Sequence, residues 1–133
     1  MIGVLYNDCY GGFSMSKKAI DLYNMKMLEL NPDHKNILYN QPLYSINRND
    51  KILIDVYNQL GNDFNGERYT KIKAKYINKK YENCYNITEY DGLEGVEIDV
   101  NKYKIETIKN IIKNNISSDE KINQINLLFA NDL

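Results

Sequence analysis

The residues of this chain that can do chemistry crowd into two short stretches. The first is Asn7-Asp8-Cys9-Tyr10-Gly11-Gly12-Phe13-Ser14-Met15-Ser16. A helix that starts after such a stretch leaves unsatisfied N–H groups and a partial positive charge at its first turn. Glycines just ahead of it allow a backbone path that aims those N–H groups at an anion. Ser14 and Ser16 can add hydroxyl donors, and Asn7, Cys9 and Tyr10 flank the same point. The stretch lacks the Gly-Lys-Ser/Thr of a phosphate loop and the GxGxxG spacing of a dinucleotide fingerprint. A tight strand-to-helix turn, capped by Ser14 or Ser16, therefore competes with a ligand site. Phe13 is expected in the core on either reading.

The second stretch is Glu89-Tyr90-Asp91-Gly92-Leu93-Glu94, followed by Glu97 and Asp99. Its carboxylates can supply an acid/base pair or cation ligands, or simply a turn aspartate and a solvated strand face. Arg48 is the candidate for anion recognition, with Asp50 a helix cap. Lys71, Lys73 and Lys75 form a basic row that suits a phosphate-bearing ligand, the acidic hairpin, or a solvated sheet edge. Cys9 has the position of a nucleophile, since a helix N-terminus lowers a thiol pKa. A nucleophile needs a base, and nothing in the sequence brings His34, the one histidine, near it. One histidine and two distant cysteines make no metal-ligand spacing. No catalytic residue, metal or cofactor is assigned.

The elements that must position these residues follow from periodicity. IGVLY at residues 2–6 reads as a buried strand. Ala19, Ile20, Tyr23, Met27 and Leu30 recur at helical spacing until Asn31-Pro32. Residues 34–47 are irregular, with short extended pieces expected at 37–39 and 43–46. Asp50 caps a second helix with Ile52, Leu53, Val56, Tyr57 and Leu60 on its apolar face and Gly61 at its end. Asn65-Gly66 signals a turn, and residues 70–77 alternate as a half-exposed strand. Asp91-Gly92 between two strand-like runs predicts a type I′ hairpin. Tyr103, Ile105, Ile108, Ile111 and Ile112 mark one C-terminal helix. Ser117 and Glu120 form a capping box for another, carrying Ile122, Ile125, Leu128 and Phe129. The expected fold class is α/β, with mixed α+β open: a small mixed sheet, a strand–glycine loop–helix opening, a hairpin and two C-terminal helices. Residues 1–100 form one core domain, and 101–133 a helical extension packed on the core or at an interface.

The 133 residues carry 17 basic and 18 acidic side chains, a net charge of −1, which removes the basic field of a general nucleic-acid binder. No apolar run approaches the roughly 20 residues of a membrane helix, and the first residues do not read as an export signal. A cytoplasmic protein with free thiols is expected. Heavy use of Asn, Lys, Ile and Tyr matches AT-rich codons, so scattered asparagines and tyrosines are weak evidence for a site.

CYGGFSMSKKAIDLY resembles the opening of a family of small, mostly uncharacterised proteins of bacteriophages and large DNA viruses. Two further blocks are similar to that family: Arg48-Asn49-Asp50 leading into ILIDVYNQLG with Asn65-Gly66 and Lys73, and Glu89-Tyr90-Asp91-Gly92-Leu93-Glu94-Gly95-Val96. The likeness covers about the first hundred residues. Shorter members of the family end soon after the last block in a histidine-arginine-aromatic tail, where this chain has residues 101–133. The resemblance implies a viral accessory setting, in the host-cell cytoplasm, and no activity.

Three functions are consistent with these readings. One is a non-enzymatic binder of an anionic small molecule, such as a nucleotide sequestered in counter-defence, at residues 9–16, Arg48 and the hairpin. Another is an interaction or self-association module, including a homo-oligomer, built on the C-terminal helices. The third is a small enzyme using Cys9 or the hairpin carboxylates.

Overall fold

The computed structural model describes residues 1–39, 43 and 46–130. In chain order it contains β1 (Ile2–Asn7), α1 (Lys17–Leu30), α2 (Lys51–Leu60) with a 3₁₀ turn Gly61–Phe64, and β2 (Ile72–Ile77). A second 3₁₀ turn (Lys79–Tyr81), β3 (Tyr85–Tyr90), β4 (Leu93–Ile98), α3 (Val100–Lys113) and α4 (Ser118–Phe129) follow. The fold is mixed α+β. Among the described residues the strands form two antiparallel pairs, β1–β2 and β3–β4. No strand forms at residues 37–39, and the piece expected at 43–46 falls partly outside the described residues.

The β1–β2 register sets two faces, because side chains alternate along a strand. Leu5 pairs with Ala74 and Asn7 with Ile72 on one face; Val4 pairs with Lys75 and Ile2 with Ile77 on the other. The first face packs on α1 and α2 through Leu5, Met15, Ala19, Ile20, Tyr23, Leu53, Val56, Phe64 and Ile72. The second is covered by the β3–β4 hairpin, where Val4, Ile77 and Val96 are buried with Tyr81, Tyr85 and Ile87 around them. Burying each such aliphatic or aromatic side chain stabilises by about 1.5–3 kcal/mol. One twisted ribbon thus serves two small cores.

Helix starts are fixed by side-chain caps. Ser16 Oγ accepts from the Ala19 N–H (3.1 Å) and Asp50 from the Ile52 N–H (2.7 Å). Asp99 accepts from the Lys102 N–H and Ser117 from the Glu120 N–H. Asp99 therefore starts α3 at Val100, three residues before the first periodic apolar position, and ends β4 at Ile98. The turn expected at Asn65-Gly66 falls at residues 67–70, closed by the Thr70 N–H on the Glu67 carbonyl. Gly66 is needed elsewhere, since a Cβ there would overlap the Met15 carbonyl and Ser14 Oγ.

The hairpin turn is as expected: Asp91 (φ 51°) and Gly92 (φ 85°) join Tyr90 to its partner Leu93. Gly92 has a second constraint, because a Cβ on it would run into the Tyr10 carbonyl and the Gly12 amide. Gly12 also has positive φ (80°), but nothing lies within 4 Å of where its Cβ would be. Gly12→Ala should therefore lose only the left-handed backbone preference, about 1 kcal/mol. Gly92→Ala adds overlap with an immobile backbone, for a total of about 3 kcal/mol. Urea unfolding of the two variants checks this; equal losses would mean that the hairpin does not wedge against the loop.

Candidate functional site

The site is assembled at the C-terminal end of β1, where the glycine loop, the segment before α2 and the hairpin meet. The N–H groups of Leu5 and Asn7 point away from β2 and would be left open on a two-stranded ribbon. Two other segments take them. The Arg48 carbonyl accepts from the Leu5 N–H (2.9 Å), and Glu94 Oε1 accepts from the Asn7 N–H (2.9 Å). Arg48 then donates both guanidinium nitrogens to the Glu94 carboxylate, Nη1 to Oε1 at 2.7 Å and Nη2 to Oε2 at 3.0 Å. Its Nη1 also donates to the Leu5 carbonyl at 3.4 Å. The guanidinium carbon lies 3.8 Å from the Phe13 ring centre, a cation–π contact. The two charged side chains are only 13% and 7% exposed, so this is a largely desolvated, bidentate pair.

Asn7 completes the junction. Its side chain is fully buried; Nδ2 donates to the carbonyls of Cys9 (2.7 Å) and Gly92 (3.1 Å), and Oδ1 accepts from the Lys71 N–H (2.8 Å). One amide thus fixes the loop, the hairpin turn and the start of β2. The glycine loop, the segment before α2 and the hairpin thus meet through Phe13, Arg48 and Glu94.

Most of the loop's polar groups are engaged internally. The Gly11 N–H donates to the Tyr69 carbonyl (2.8 Å), and a Cβ on Gly11 would overlap that same carbonyl. Ser14 Oγ accepts from the Glu67 N–H and is hydrogen-bonded to Thr70 Oγ1, both at 2.9 Å. Ser16 Oγ caps α1 and donates to the Asp63 carbonyl at 2.6 Å. Among the described residues the Gly12 N–H has no acceptor.

Beside this junction lies a cleft of about 500 Å³ lined by Gly11, Gly12, Phe13, Leu43, Arg48, Ile87, Glu89 and Glu94. Five residues expected at a site therefore converge on it: Gly11, Gly12, Arg48, Glu89 and Glu94. Asn7, Ser14 and Ser16 are nearby but held by the fold. Tyr10 and Tyr90 are exposed and do not line it, and Asp91 is a turn residue. Phe13, Leu43 and Ile87 were not expected to line a site. Phe13 packs against the core on α1 and α2, edge-on to Phe64, as its apolar character predicts, and it also lines the cleft.

The described lining carries two carboxylates against one guanidinium, and that guanidinium is already neutralised by Glu94. Glu89 accepts from the Gly92 N–H at 2.8 Å, its share in closing the turn. Among the described residues no thiol, hydroxyl or imidazole lines the cleft. His34 is tied to α1, with Nε2 3.2 Å from Asn24 Oδ1 and its ring edge-on to Tyr23, while Cys9 lies on the loop against Asn7. Both cysteines are free thiols, and no metal-ligand cluster occurs among the described residues. The lysine row is not a free basic face. Lys73 holds Asp8 at 2.6 Å, and that hydrogen bond depresses the Asp8 carboxyl pKa and raises that of Lys73. Lys75 donates to the Val96 carbonyl (3.1 Å), which pins the hairpin to β2.

Comparison with protein-family models, with curated proteins and with solved structures finds no match.

Removing one partner of a buried ion pair strands the other charge, at about 3–5 kcal/mol. Arg48→Met and Glu94→Leu should each lose that much stability, while the double variant recovers at least half of the summed loss. A double-mutant cycle by chemical denaturation measures it. Additive losses would show that the pair is not coupled.

Proposed function

We propose that this chain is a non-enzymatic protein-interaction module that docks through its C-terminal helical hairpin. The observation that carries this reading is the state of α3 and α4. Among the described residues neither hydrophobic core includes one beyond Ile98. Among the described residues α3 buries only Ile111, and α4 buries none. The hairpin touches the core at Tyr103, whose ring stands edge-on to Tyr81 with centres 5.0 Å apart. Ile105, Ile112, Ile122, Leu127 and Phe129 are left between 45% and 69% exposed. Apolar side chains gathered on one appendage, rather than scattered singly, are the mark of an interaction surface.

A viral accessory setting and a cytoplasmic location belong to the same proposal and rest on the resemblance and the composition. No helix among the described residues is long and apolar enough to cross a membrane.

A second reading keeps the cleft as a small-molecule site, favoured by the unpartnered Gly12 N–H at its wall. The lining charge argues for a ligand with a neutral or cationic end near Glu89 rather than for the anion expected from the loop. Thermal-shift screening of millimolar nucleotides against neutral and cationic ligands separates these, with Glu89→Gln removing the response to a cationic one. Stabilisation by nucleotides alone would restore the anionic class.

For the main reading, side chains exposed for docking contribute little to folding. Ile105→Glu and Ile112→Glu should each change stability by no more than about 0.5 kcal/mol, while lowering the fluorescence of a bound hydrophobic dye. Losses above about 2 kcal/mol would place these isoleucines in a packed interior and remove the basis for the proposal.

A further inference from the structure

We infer that the exposed face of α3 receives an acidic amphipathic helix of a partner protein. The inference rests on the reading of the C-terminal hairpin as a docking surface and names what docks there. Ile105 and Ile112 are seven residues apart, so they stand almost in line two turns apart on the helix. Both are more than half exposed, whereas Ile108 beside them is half-buried. Lys109 follows Ile105 by four residues and precedes Ile112 by three, which sets its charge against the seam. Lys102 and Lys113 lie on the same flank, within about 40° of Lys109 around the helix axis. Lys104 lies on the other side, with its ammonium 4.9 Å from the Phe129 ring centre. Against Lys102, Lys109 and Lys113 this flank has one acid, Glu106, four residues after Lys102 and three before Lys109.

Charge decides among the possible occupants. Two copies of α3 crossing at the seam would set Lys109 near Lys109, and like charges in a desolvated contact oppose association. A helix with an apolar stripe flanked by Asp or Glu meets the same surface with complementary potential. It also fits the narrow seam, because helix-in-groove docking uses anchors at i, i+3 or i+4 and i+7. A lipid surface is served by a broader apolar face with exposed aromatic residues. The one aromatic residue of α3, Tyr103, is engaged with Tyr81.

The test uses the full chain and two fluorescent synthetic peptides, helical and with identical leucine stripes, one flanked by glutamates and the other by lysines. Phosphatidylserine vesicles are titrated in parallel. The acidic peptide should bind, more weakly as salt rises, and about tenfold more weakly to Lys109→Glu/Lys113→Glu, which should now prefer the lysine peptide. Ile105→Asp/Ile112→Asp should lose both peptides. Equal binding of the two peptides by the wild-type chain would overturn the acidic partner and leave the docking surface standing. Preferential binding to the vesicles, or concentration-dependent dimerisation abolished by Ile105→Asp, would overturn it in favour of a membrane or a second copy. No binding to either peptide, to vesicles or to itself at millimolar concentration would overturn the docking surface as well.

Discussion

A single carboxylate, Glu94, closes the open edge of β1. It accepts from the Asn7 N–H and from both terminal nitrogens of Arg48, while the Arg48 carbonyl takes the Leu5 N–H. A two-stranded ribbon has two open edges and cannot satisfy its own backbone. Among its described residues this chain adds no third strand beside β1. It finishes the ladder with an arginine and a glutamate brought from segments 46 positions apart. Desolvating that pair is expensive, and the expense is offset because the same atoms also satisfy backbone groups and carry the Phe13 ring. The pair and the buried Asn7 side chain hold loop, ribbon and hairpin in register, so the shape of the cleft depends on them.

The glycines of the loop and hairpin follow from this constraint. Gly11, Gly66 and Gly92 each sit where a Cβ would strike another segment's backbone: Tyr69, Met15 and Tyr10 respectively. Three backbone segments approach closely enough for Asn7 to bond to three of them at once. What looks in sequence like an anion-binding loop is in large part a packing device. Gly12, with open space where a Cβ would stand and its amide facing no protein acceptor among the described residues, is the position where ligand chemistry retains a foothold.

The local signals were legible in the sequence because their causes are local. Asp91-Gly92 needs positive φ, Ser16 and Asp50 offer oxygens to the next turn, and the helices show their periodicity. Arg48 and Glu94 were singled out as charges able to recognise or catalyse, yet they recognise each other. No short-range rule reports a pairing between a loop and a strand so far apart in sequence. The same blindness hid the roles of Ser14, Lys73 and Lys75, whose partners are set by tertiary packing. The apolar faces of α3 and α4 were plain from their spacing, but periodicity cannot say whether a face is covered. In the structure much of each remains open, and this turns the interpretation from a ligand held in a cleft towards a partner held on a helix.

The core is thus locked at the end of β1, while neither of its apolar clusters takes a described residue of α3 or α4. Native-state hydrogen exchange tests that division most directly. The amides of Leu5, Asn7 and Lys71 should exchange only through global unfolding, while those of α3 and α4 exchange through a separate opening at much lower free energy. If α3 and α4 were protected as strongly as β1, the hairpin would be part of the core. If the Leu5 and Asn7 amides exchanged at low free energy, the Arg48–Glu94 closure would not be holding the fold.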